Sequence, residues 1–405
     1  MTTYFEMLGD HIAAEWSRVN FDDVALPQIA AGALTKMSPA DNVSPVDILS
    51  SVMAGSRFCL QPNIDVSFGQ PPITMYSHPQ FYIEALFWVT GTTSVHQHSF
   101  SGAFAVLEGS SLQSRYRFTL AQRVNAHMLV GDLELHSVSL LTTGAVEPIV
   151  GGSELIHSVF HLPSPSVTIV VRTFHDVEHL PQYDYFHPHI AVSSEYRDAR
   201  LRRRRQVLQL CADVYPTRYE ELAVAAIRHG DLLTAYMVLL DAVAPMRLSN
   251  SYGRLADAAR DRHGEVVDKL IAAAEEHDRR EVIAKCRRDV VDSDLRFFLA
   301  LLLNVPSREW ILRLLQERYP GTNIRNKVVD LASNLAPAIF GVEFEDLDRL
   351  LFRHLLDRAS ADDVLTLLES DYSVDEVASQ REFLLEHCAN LRRTAFKPLL
   401  TEAAG

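Results

Sequence analysis

The sequence is poor in cysteine, in long apolar runs and in net positive charge. Its 405 residues hold only four cysteines, Cys59, Cys211, Cys286 and Cys388, far apart and without a CxxC pair. They carry no activating neighbours and no assigned chemistry, and a reducing, cytoplasmic setting is expected. The net charge of −14 argues against a general nucleic-acid binder, which needs a positive field facing phosphates. No apolar run approaches the ~20 residues that span a bilayer, so no membrane partner is expected. The longest, FFLALLLNV from Phe297 to Val305, suits a buried helix. The opening MTTYFEMLGDHIAAEW lacks a charged segment followed by an apolar one, and no secretory signal is expected.

What is present describes an ordinary globular protein too long for a single core. The pattern along the chain predicts an α+β, multidomain architecture. Residues 1–57 carry helical signals, ending in SPVDILSSVMAG with Ser44 as cap and Pro45 in the first turn. Residues 58–176 break into short apolar or alternating runs separated by turn residues, as in FYIEALFWV, GAFAVLEG and SVTIVVRTF. That is the signature of an antiparallel sandwich or barrel. Residues 177–197, rich in His, Pro and Tyr, are expected to connect. Residues 198–405 read as an all-α domain, with a capping box at Thr217 and Glu220, a helix end at Gly230 and a cap at Asp231. Further caps are expected at Ser307 and, as a second box, at Ser373 and Glu376.

Within the β region, SVHQHSFSGAFAVLEGS places His96 and His98 one residue apart. Alternate residues of a strand project to one side, so the two imidazoles can converge on one ion. They lie at the mouth of a hairpin, and His157, in IHSVFH, stands at the same kind of turn-to-strand junction. A third imidazole brought across by the sheet completes a three-nitrogen face with open positions for substrate or dioxygen.

The order Gly91–x4–His96–x–His98–x10–Gly109, with His157 beyond, resembles the two short motifs of the cupins. These are double-sheet jelly rolls, many of which hold iron, manganese, nickel or zinc through such histidines. The resemblance covers roughly residues 58–176. The glutamate that most metal-binding cupins add as a fourth ligand falls at or near Gly102, which cannot ligate. A three-histidine site is therefore implied. Trp88, His96, His98, Ser101, Gly109, Leu112 and His157 match the branch that resembles cysteine dioxygenase, whose members use iron(II) and dioxygen. The Ser, His and Tyr that thiol dioxygenases carry beyond the third ligand are Thr168, Val170 and Arg172 here, and the expected asparagine is His161. The resemblance thus implies a mononuclear non-haem iron(II) oxygenase or dioxygenase acting on a different small substrate, anionic or chelating. Zinc, manganese or nickel in the same ligands would instead serve an isomerase or lyase. A ligand-sensing cupin whose helical half carries a protein partner, or forms a homodimer, is the non-enzymatic reading.

Two further residues are candidates for the chemistry. Arg172 follows the third histidine and is suited to grip a carboxylate bidentately. Tyr76, before the Trp88 strand, is placed to line the mouth, as is Tyr116. Phe104 and Val106 should make the wall apolar. His136 and His161 are expected either to be satisfied in the core or to orient a ligand. Arg115 and Arg117 are expected on a solvated face, and Arg202 to Arg205 at a solvated helix start.

Overall fold

Helices open the chain in the computed structural model, which describes residues 2–54, 59–64, 68–174, 176–246, 251–340, 343–357 and 360–400. They are α1 (Thr2–Ser17), α2 (Leu26–Met37), α3 (Pro39–Asn42) and α4 (Pro45–Ala54). Ser44 and Asp47 close a reciprocal box at the start of α4, each accepting from the other's backbone N–H. The expected boundary at residues 57 and 58 falls outside the described residues.

Phe5, Leu8, Ile12 and Trp16 recur at helical spacing and are all buried. With Leu26, Ala30 and Leu34 of α2 they cover the outer face of a sheet, meeting Phe81, Ile83, Ala85, Val167 and Ile169. The strands are β1 (Pro72–Ser77), β2 (Phe81–Trp88), β3 (Val95–His98), β4 (Gly102–Glu108), β5 (Ser110–Asn125) and β6 (Met128–Thr142). After them come β7 (Val146–Ile149), β8 (Gly152–His161), β9 (Ser166–Thr173), β10 (Tyr183–Phe186) and β11 (Ile190–Ser193). One sheet has the order β1-β2-β9-β4-β7, and β10-β11-β6-β5-β8-β3 form a closed barrel whose pairings are antiparallel. Strands β2 and β9 are buried on both faces, with helices outside and the cavity inside. For that reason they read as nearly continuous apolar runs.

The segment 177–197, expected to connect, departs from that expectation. It supplies the hairpin β10–β11, which pairs with β3 on one side and β6 on the other and so completes the barrel. Tyr183 and Tyr185 alternate inward there, a period-two signal concealed by the flanking His and Pro residues.

Beyond the barrel lie α5 (Ala199–Val214), α6 (Pro216–His229), α7 (Leu232–Met246), α8 (Ser251–His263) and α9 (Val266–Cys286). Asp198 caps α5, and Asp231 accepts from the Thr234 amide at the start of α7. The expected Thr217–Glu220 box is absent: α6 starts two residues earlier, at Pro216, with Tyr215 at the cap position and no side-chain cap, and Glu220 is drawn into an ion pair with Arg254. The chain divides into two compact units, Met1–Asp278 and Arg279–Gly405. The helices from Ala199 to Asp278 thus belong to the barrel's unit, where Leu208, Tyr219, Leu233 and Tyr236 share a core with Met128, Val130, Ile190 and Val192 of the barrel strands.

In the second unit, helices from Ser293 to Leu400 surround Phe298, Phe352 and Phe396. Its buried Arg279 donates to the carbonyls of Leu302 and Ala395, each at 2.9 Å. The Ser307 cap and the Ser373–Glu376 box form as the sequence predicts. Among the described residues, no helix is long and apolar enough to cross a membrane.

Candidate metal centre

The four-residue strand β3 carries His96 and His98, and its antiparallel neighbour β8 places His157 directly opposite His96. Their three ligand atoms lie within 4.8 Å of one another, and all three residues are buried. His98 Nε2 and His157 Nε2 are 2.9 Å apart. Two bare nitrogens repel at that distance, and either a shared proton or a cation relieves them. Two ligands ~2.05 Å from one ion and 90° apart are separated by ~2.9 Å, against ~3.3 Å at the tetrahedral angle. At 2.9 Å the two nitrogens are close enough to share one proton or one ion.

Second contacts fix the rings. His96 Nδ1 is 2.9 Å from the Ser94 carbonyl oxygen, which can only accept, so Nδ1 carries the proton and Nε2 keeps its lone pair. His157 Nδ1 is 3.0 Å from the Gln113 carboxamide on β5. The near atom is Gln113 Nε2, which donates to Nδ1 and leaves the His157 proton on Nε2, toward His98; exchanging the carboxamide's oxygen and nitrogen reverses this and leaves Nε2 bare for an ion. Burial holds His98 and His157 well below the ordinary imidazole range, reinforced by neighbouring positive character: His96, His157 and Arg172 around His98, His96 and Arg115 around His157. Burial also lowers His96, partly opposed by the Ser94 carbonyl and Asp184. The cluster is therefore neutral near pH 7, the protonation state in which imidazole binds metal. The residues fit a divalent ion.

A cavity of about 50 Å³ opens beside the cluster. By the ~10–15 Å³ that one water requires, it holds roughly four. Its wall is apolar, built from Leu86, Trp88, Phe104, Ile149, Val159 and Val170. His157, Val159 and His161 alternate along β8 and all face it. His161 stacks on Trp88 with centroids 4.3 Å apart, its Nδ1 lies 2.9 Å from Ser111 Oγ, and Trp88 Nε1 donates to Thr168 Oγ1 at 3.0 Å.

No protein-family model matches this chain, and comparison with curated proteins finds no match. The likeness to the cupins rests on the closed barrel and the buried histidine cluster, which are compatible with a metal-dependent enzyme of that kind.

The structure brings Arg172 to the cavity but gives it a partner. Its Nη1 lies 3.4 Å from Glu84 Oε1, and its guanidinium covers the Phe100 ring at 3.6 Å. Tyr76 is elsewhere. A register shift in β1 between Thr74 and Tyr76 accompanies a ring packed on α1, where the hydroxyl donates to Asp10 at 3.0 Å. Gly9 makes this possible, since a Cβ there would sit 2.3 Å from the ring. Burial and the Asp10 carboxylate push the Tyr76 hydroxyl up to about 12. Tyr116 packs against His187 within the barrel, His136 is exposed, and Arg115 pairs with Glu147.

Gly102 lies opposite Arg172 in the β4–β9 pairing, and a Cβ there would fall 1.9 Å from the Val171 carbonyl oxygen. The missing glutamate is thus a matter of backbone space. Sequence reading passed over Glu84, Gln113 and Ser111. Glu84 had a signal, being the one charged residue in FYIEALFWV.

Proposed function

We propose that this protein is a mononuclear metal enzyme whose ion is held by His96, His98 and His157, and that it uses iron(II) and dioxygen to oxidise a small chelating substrate. The observation that carries this reading is a face of three buried, neutral imidazoles opening onto a small apolar cavity. When bound, the ion supplies Lewis acidity and, as iron(II), electrons for dioxygen. The chain's residues do the rest. Ser94 and Gln113 aim two of the imidazoles, and Trp88, Phe104, Ile149 and Val170 keep bulk water away from the reacting atoms. His161, with Nδ1 held by Ser111, is placed to take up or release a proton at the cavity wall.

The test is metal analysis of protein purified without added metal, followed by oxygen-electrode assays of the iron(II)-loaded protein with small chelators. One iron per chain, oxygen uptake, and loss of both in His157→Ala support the proposal. Turnover without oxygen in a zinc- or manganese-filled protein would instead identify an isomerase or lyase. Absence of stoichiometric metal would remove the reading altogether.

A further inference from the structure

We infer that Glu84 makes the cavity selective for a substrate whose non-chelating body is uncharged and apolar, by neutralising the guanidinium in its wall. The inference rests on the metal-site reading only for the substrate's chelating end.

Arg172 is the lysine- or arginine-type cation among the described residues that line the cavity. Glu84, also in the wall, has a side chain only 1% exposed. Both of its oxygens are engaged: Oε1 by Arg172 Nη1, and Oε2 by Asn63 Nδ2 at 2.8 Å. The Arg172 guanidinium is flanked by the Phe100 ring at 3.6 Å and the Tyr82 ring at 5.4 Å. Together the two side chains carry no net charge. A substrate carboxylate entering here would leave one negative charge uncompensated against Leu86, Phe104 and Val170, and buried charge without a partner is strongly unfavourable. An ammonium group fares no better, because Glu84 is already committed. What Arg172 keeps is the N–H at Nε, buried and without an acceptor. That group can donate to a neutral oxygen, such as a carbonyl or ether, without requiring a full counter-charge. The small cavity sets the body at a few carbons.

The experiment uses cobalt(II)-loaded protein and a matched series of four-carbon hydroxamic acids ending in methyl, carboxylate or ammonium, with binding read from the cobalt absorption bands. The methyl-ended probe should bind at least tenfold more tightly than either charged one. In Glu84→Gln, the freed Arg172 should raise the affinity of the carboxylate-ended probe at least tenfold while leaving the methyl-ended one within threefold. Equal binding of the carboxylate-ended probe in the unaltered protein overturns the inference. So does an unchanged preference in Glu84→Gln, or failure of every probe to bind. If Glu84→Gln does not fold, the comparison in the unaltered protein decides alone. Cobalt bands insensitive to His157→Ala would mean that the metal reading has failed. Saturation-transfer NMR of metal-free protein with butyramide, butyrate and butylammonium then tests the selectivity separately, preference for butyramide supporting it and preference for butyrate overturning it.

Discussion

Gly102→Ala isolates the reason why the histidine cluster has no fourth protein ligand among the described residues. In a β-sheet a glycine-to-alanine change is ordinarily favourable, because glycine gives up more conformational freedom on folding. Here the added Cβ would sit 1.9 Å from the Val171 carbonyl oxygen, 2.9 Å from its carbon and 3.0 Å from Arg172 Cα. All three atoms are backbone, so no rotamer change relieves the contact. Strand β9 must move by more than ~1 Å to restore ordinary separation, and overpacking of this kind costs ~1–3 kcal/mol. Weakening the β4–β9 hydrogen bonds adds ~0.5–1.5 kcal/mol for each one lost. A total of about 3 kcal/mol corresponds to a fall in Tm of roughly 5 °C for a unit of this size. Differential scanning calorimetry measures it. The same displacement carries Val170 and Arg172 away from the cavity, so metal-dependent probe binding should weaken alongside stability. Gly102→Glu should be worse still and should not add a carboxylate to the metal. A Gly102→Ala protein as stable as the original would refute the steric argument, and a Gly102→Glu protein with tighter metal binding would refute the account of the missing ligand.

Replacing Gln113 by Leu removes the group that orients His157 through Nδ1, and metal affinity measured by chelator competition should fall ~10–100-fold with little change in fold. In the second unit, the Ser373 amide and hydroxyl hold the Glu376 carboxylate below its ordinary range. A carboxylate lowered in the folded state contributes stability above its unfolded value of ~4.3, and that contribution disappears as the pH falls through the lower folded value. An NMR titration should therefore show the Ser373 amide shift moving in the acid range below pH 4.3, and in Ser373→Ala the Glu376 titration should return toward the ordinary carboxylate value.

Much of the site could be read from the chain because its signals are local. His96 and His98 declare a shared strand face by their spacing alone, and Ser373 and Glu376 declare a helix start in the same way. Distant partners were less legible. Whether Arg172 offers a free charge depends on Glu84, 88 residues away, and no local pattern records that pairing. Tyr76 shows no local sign of leaving the wall, yet the register shift in β1 and the bare surface at Gly9 give its ring to α1. At Thr217 a valid capping pattern lost to the proline one residue earlier and to Arg254 from another helix. The hairpin from Tyr183 to Ser193 was obscured because its strands, four residues each, are short beside the turn-forming residues around them.

His96 occupies a seam. Its backbone pairs with His157 of β8 on one side and with Asp184 of β10 on the other, in the strand where the barrel circuit is completed. Such a position would couple metal binding to closure of the barrel. Parting β3 from β8 separates the imidazoles, and an ion held by nitrogens 59 residues apart in sequence would act as a clasp that resists the parting. Ion release and barrel opening would thereby be thermodynamically linked, and exchange of the β3 amides with solvent, faster without the ion, would gauge occupancy at the centre.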